Sequence, residues 1–78
     1  MPSQQVDYIV LLNNYLQQTR ENHLLVWEYY VHGPQHQAMH TARAKIGNTI
    51  VGEGTAPTRT QAKQVASYHL LRSRGMRV

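Results

Sequence analysis

Gly33-Pro34-Gln35-His36, His40-Thr41-Ala42-Arg43-Ala44-Lys45-Ile46-Gly47-Asn48-Thr49-Ile50-Val51, Gly52-Glu53-Gly54 and Thr58-Arg59-Thr60-Gln61-Ala62-Lys63 follow one another between positions 33 and 63, and their order decides the fold. The first piece is a Pro-containing polar loop. In the second, His40, Ala42, Ala44 and Ile46 are mostly apolar while Thr41, Arg43 and Lys45 between them are polar. A period of two belongs to a strand with one buried face. Gly47-Asn48 then supplies a two-residue hairpin turn, and Thr49-Ile50-Val51 the return strand. Gly52-Glu53-Gly54, with Thr55-Ala56-Pro57 behind it, reads as the way out of the sheet. Thr58 with Gln61 three residues later is the capping-box signature of a helix. Arg59 and Lys63, four apart, share one face of its first turns, where free N–H groups and the helix dipole favour phosphate.

Upstream, Tyr8, Ile9, Leu12, Tyr15 and Leu16 recur at steps of three and four, which predicts a helix from Val6 to Arg20 with Asp7 complementing its dipole. Its polar face carries amides, Asn13, Asn14, Gln17 and Gln18, able to bond sugar hydroxyls and base edges without a fixed charge. Thr19 to His23 reads as a connector. Leu24 to Val31 is dense in β-branched and aromatic residues and predicts a strand, with Trp27 as a packing residue. The thin inner face left by Ala42 and Ala44 asks for large neighbours, and Trp27, Tyr29 and Tyr30 are the candidates. Downstream, Ala62, Val65, Ala66, His69 and Leu70 predict the buried face of the second helix, and Gly75 its stop. The expected organisation is a flexible N-terminus over residues 1–5, one domain over 6–74, and a basic, frayed tail over 75–78.

A chain of 78 residues is one small domain, and eight Lys+Arg against four Asp+Glu give a formal charge of +4. Such a surface favours an anionic partner, nucleic acid first. The absence of Cys removes disulfides, thiolate catalysis and Cys-based zinc sites. It also suits a reducing compartment. Neither a signal peptide nor a membrane-spanning apolar run is present, so the expectation is a soluble intracellular protein in cytoplasm or nucleus without membrane contact.

The order helix, three strands, helix, with these loops between them, resembles the double-stranded RNA-binding domain family over about Val6 to Arg74. Leu12-Asn13-Asn14-Tyr15-Leu16-Gln17 is similar to the family's first-helix core, and Gly33-Pro34-Gln35-His36 to its GPxH loop. Gly52-Glu53-Gly54 matches its G-x-G segment. Thr58 to Lys63, followed by Ala66-Ser67 where the family prefers two alanines, matches its cationic helix start. In its compact form the chain is similar to small stand-alone fungal members. The resemblance implies an α+β fold, α-β-β-β-α, with two helices packed on one face of a three-stranded antiparallel sheet.

It further implies binding to double-stranded RNA by shape, without strong sequence specificity, across about 16 base pairs. Val10, Asn13, Asn14 and Gln17 would meet one minor groove, and Gly33, Pro34, Gln35 and His36 the next. Arg59, Thr60 and Lys63 would hold the phosphates between. Thr60 stands where the family usually has a cation, His40 where it has an aromatic, and Thr55-Ala56-Pro57 makes the segment before the helix about two residues longer than usual. The alternative is a protein-interaction or homodimerisation module of the same fold.

No cofactor, metal or catalytic site is expected. His32, His36 and His40 recur every four residues, but Gly33-Pro34 interrupts the first interval and a strand takes the second, so they do not converge as a helical metal pair does. Asp7, Glu21, Glu28 and Glu53 lie on separate elements, which disfavours a paired-carboxylate or two-metal site.

Overall fold

The small residues Ala42 and Ala44 decide how closely everything else can pack. The computed structural model describes residues 6–78, so the segment read as an N-terminal tail lies outside the described residues. Along it run α1 (Tyr8–Gln18), β1 (Leu25–His32), a short 3-10 turn (Gln35–Gln37), β2 (Met39–Ile46), β3 (Thr49–Ala56) and α2 (Arg59–Ser73). The sheet order is β1-β2-β3 with both pairings antiparallel. Leu12 and Leu16 of α1 and Leu70 and Leu71 of α2 bury together over Ala44, while Ala62 and Ala66 pack over Ala42 and Ala56. Both helices therefore cover one face of the sheet, the expected α-β-β-β-α arrangement. Among the described residues no helix is long and apolar enough to cross a membrane.

β3 runs five residues further than the Thr49–Val51 expected from sequence. Gly52 and Gly54 lie within it and are buried. Glycine is a poor strand former, but here α2 rests on the backbone itself. A Cβ on Gly54 would come 2.5 Å from the Ala66 nitrogen and 2.6 Å from the Ala62 oxygen, and one on Gly52 would come 2.7 Å from the Ala66 oxygen. The segment between sheet and helix shrinks to Pro57-Thr58, so Thr55 and Ala56 are strand residues and not an extended linker. Ala44 pairs with Gly52 but Lys45 with Ile50, which leaves Val51 as a bulge residue. The bulge turns Val51 toward the leucine cluster and leaves Ile50 half-exposed, a local reversal that simple alternation does not foresee.

The buried side of α2 is rotated from its expected position. Ala62, Ala66 and Leu70 face the sheet as anticipated, but Val65 and His69 are exposed, and Ser67 and Leu71 are fully buried in their place. The cause is α1, which covers the neighbouring side of α2. Tyr8 packs edge-on against Tyr68 at 5.0 Å, and Gln64 accepts from the Tyr8 N–H at 2.7 Å while donating to Asp7 Oδ1 at 2.9 Å. A helix buried on two sides has no single apolar stripe.

Both helices end in the same way, on different residues. At the end of α2, Gly75 takes φ 82°. The N–H groups of Gly75 and Met76 reach the carbonyls of Arg72 and Leu71 at 3.0 and 3.1 Å, and Met76 and Val78 pack against the core. This is a Schellman closure with its hydrophobic contact, so the tail read as frayed is in part an apolar clasp. At the end of α1 the bonds Arg20 N–H to Gln17 and Glu21 N–H to Leu16 repeat the pattern at 3.2 and 2.8 Å, but the left-handed position is held by Arg20, φ 60°. Helix α1 is thus shorter than expected, starting at Tyr8 under the Asp7 cap and stopping at Gln18.

Candidate nucleic-acid interface

At the start of α2, Thr58 Oγ1 accepts from the Gln61 N–H at 3.1 Å, and the Thr58 carbonyl accepts from the Ala62 N–H at 2.9 Å. The N–H groups of the first turn that lack intrahelical partners point outward, where an anion can take them. Arg59 and Lys63 flank this end. The Arg59 guanidinium carbon lies 3.8 Å from the centre of the Tyr29 ring, and Lys63 Nζ lies 5.1 Å from the centre of the Trp27 ring. Thr60, beside them, is exposed and uncharged.

Among the described residues the four acidic side chains are all engaged elsewhere. Glu53 meets Arg43 at 2.7 Å, Glu28 meets Lys45 at 3.5 Å, and Glu21 meets Arg74 at 2.9 Å. Asp7 caps α1, accepting from the Val10 N–H at 3.1 Å. Asp7 is held below the ordinary carboxylate range by the Val10 N–H and then by Gln64, Glu21 by the Arg74 hydrogen bond above all, and Glu28 by that from Tyr30. Arg43 and Lys45, on the helix-free face of the sheet, are thereby neutralised. Arg59 and Lys63 have no carboxylate within ion-pair distance among the described residues. Part of the chain's positive charge is thus left uncompensated at the start of α2, the rest lying on Arg20, Arg72 and Arg77.

The β1–β2 loop adjoins this end. Gly33 turns it with φ 93°, where an added Cβ would also press on the Gln37 oxygen at 3.2 Å. The Gln37 N–H closes the 3-10 turn on the Pro34 carbonyl at 2.8 Å. Gln35, His36 and His40 line a shallow concavity together with Pro57, the residue before the α2 cap. On α1, burial of Leu12 and Leu16 turns Val10, Asn13, Asn14 and Gln17 to solvent. Val10, Asn13, Asn14, Gln17, Gly33, Pro34, Gln35, His36, Arg59 and Thr60 are all exposed, and Lys63 is half-buried with its Nζ over the Trp27 ring. Among the described residues no group of three His, Cys, Asp or Glu comes together to hold a metal.

The family model for the double-stranded RNA binding motif matches residues 8–74. The chain belongs to the double-stranded RNA binding motif family. Among curated proteins it is similar to Ribonuclease 3 of Ligilactobacillus salivarius (strain UCC118), 34% identical over 61 residues, 78% of this chain and 26% of that protein. The chain thus spans about a quarter of the length of that relative.

Within this double-stranded RNA binding motif, the structure brings the loop and the α2 start together through Pro57, and joins α1 to α2 through Gln64, the residue after Lys63. Sequence reading missed the aromatic pair beneath the two cations. Trp27 and Tyr29 lie on the helix side of β1 opposite Ala44 and Ala42, whereas Tyr30 points to the other face and donates to Glu28 at 2.8 Å. The signal was present as aromatics two apart on a strand, but only the pairing register shows which aromatics share the cations' face. His40, on the same face and paired with Val31 and Ala56, is half-buried.

Proposed function

We propose that this domain binds double-stranded RNA by shape, with Val10, Asn13, Asn14 and Gln17 in one minor groove and Gly33, Pro34, Gln35 and His36 in the next. Arg59, Thr60 and Lys63 hold the phosphates of the major groove between them. The observation that carries the reading is the capped start of α2, with two cations free of carboxylates beside an exposed loop. Phosphate and ribose contacts carry little base information, so the domain discriminates poorly between sequences. The role is one of binding and not catalysis by these residues, since Asp7, Glu21, Glu28 and Glu53 are committed to structural partners on separate elements.

The test is the salt dependence of Lys63→Ala. Loss of one phosphate contact lowers affinity for every duplex alike, by about tenfold at low salt, and reduces the slope of log K against log salt by about one. A variant whose loss depends on duplex sequence, or whose slope is unchanged, contradicts the assignment of Lys63. Pairing with a second protein chain, including a second copy, is the alternative favoured by β1, an eight-residue edge strand with Val26, Tyr30 and Val31 exposed. Light scattering with and without RNA tells whether pairing accompanies or replaces RNA binding, because a mass that doubles without RNA and does not rise when RNA is added supports pairing alone.

A further inference from the structure

We infer that Tyr29 and Trp27 form an aromatic shelf that positions Arg59 and Lys63 for phosphate, making them positioning residues for RNA binding. The inference rests on the RNA-binding reading and adds to it two residues that never touch the ligand. The two rings are stacked, 6.2 Å between centroids and 13° between planes. Four helical residues rise about 6 Å, and two strand residues advance about 6.6 Å. The i, i+4 spacing of the cations on α2 therefore matches the i, i+2 spacing of the rings on β1, and each cation has a ring of its own.

The shelf exists because of what surrounds it. Ala42 and Ala44 stand opposite the rings on β2, and α2, drawn down onto Gly52 and Gly54, places its first turns close to the sheet. A guanidinium at 3.8 Å can lie flat on the Tyr29 ring and still present its rim of N–H donors to a phosphate. Lys63 holds its ammonium over the Trp27 ring, 5.1 Å from its centre, where the face of the indole attracts the cation. Long cationic side chains ordinarily lose rotamer freedom when they grip a ligand. Here much of that ordering is already present in the free protein, which offsets in part the missing charge at Thr60.

The experiment is a double-mutant cycle read by RNA titration at fixed low salt. Tyr29→Leu weakens duplex-RNA binding by about three- to tenfold, the affinity equivalent of freeing one side chain. Tyr29→Phe, which keeps the ring, restores it. In an Arg59→Ala background Tyr29→Leu adds less than about twofold, because its effect passes through Arg59. Equal losses in the two backgrounds, or no loss in either, overturn the shelf while leaving RNA binding by the native chain intact. Failure of the native chain to bind duplex RNA removes the functional reading and the shelf's role together. Should Tyr29→Leu not fold, the proton spectrum of the native chain decides. Arg59 Hδ resonances shifted upfield of those of Arg77, and Lys63 Hε resonances upfield of those of Lys45, support the shelf, and coincident positions refute it.

Discussion

Gly54→Ala is the substitution that most severely tests how α2 is seated. The added Cβ would lie 2.5 Å from the Ala66 nitrogen, 2.6 Å from the Ala62 oxygen and 2.7 Å from the Val65 Cβ. Ordinary contacts of this kind are about 3.5 Å or more, so α2 must retreat by about 1 Å. Two of the three obstacles are backbone atoms, which no rotamer change can move. Overpacking costs about 1–3 kcal/mol, and the rigid obstacles place this case near the upper end. For a domain of this size each kcal/mol is worth about 4–8 °C, so the midpoint should fall by roughly 12–24 °C in a thermal melt followed by far-UV circular dichroism. RNA affinity should fall with it, since the retreat carries Arg59 and Lys63 away from Tyr29 and Trp27. A variant melting within about 3 °C of the native chain would refute the close seating of α2 on β3.

Arg20→Gly should stabilise by about 0.5–1 kcal/mol, because the left-handed position at the end of α1 penalises any residue with a Cβ. A lower melting midpoint would show that Arg20 makes a contact worth more than that penalty. Ser67→Ala should also stabilise, by about 1 kcal/mol, since the Ser67 hydroxyl is fully buried without a hydrogen-bond partner and Ala is the better helix former. Destabilisation in chemical denaturation would mean that the hydroxyl has found a carbonyl. The folded-state pKa values of Asp7, Glu21 and Glu28 are depressed, so the unfolded chain binds protons first as pH falls. Their contribution is complete above the ordinary carboxylate range and is lost as pH falls through the folded values. Melting midpoints should therefore hold steady down to about pH 5 and decline below it, and a rise there would reverse the sign of the linkage.

Much of the fold is legible in the sequence because its strongest signals are local. Alternation in β2 and the Gly47-Asn48 turn depend on neighbours in the chain, and the Thr58 cap on a residue three positions away. What local reading cannot supply comes from contacts between distant segments. Gly52 and Gly54 look like strand breakers until α2 lies against them, and β3 is accordingly longer than its propensities suggest. Val65 and His69 satisfy a helical period as well as Ser67 and Leu71 do, and the position of α1 decides between them. Candidate residues for RNA contact could be proposed from loops and helix starts whose motifs are contiguous. The shelf could not, because it joins a strand to a helix thirty residues away.

In the proposed function, duplex shape is recognised through the α2 cations and the exposed loop. The most direct test is a titration of the native chain against duplex RNA and duplex DNA of one sequence, at least 16 base pairs long, in the same low-salt buffer. Binding to the RNA duplex should be at least about tenfold tighter than to the DNA, since the 2′-hydroxyls and A-form grooves are absent from the latter. Equal affinity for the two would contradict it and reduce the α2 start to a generic anion site.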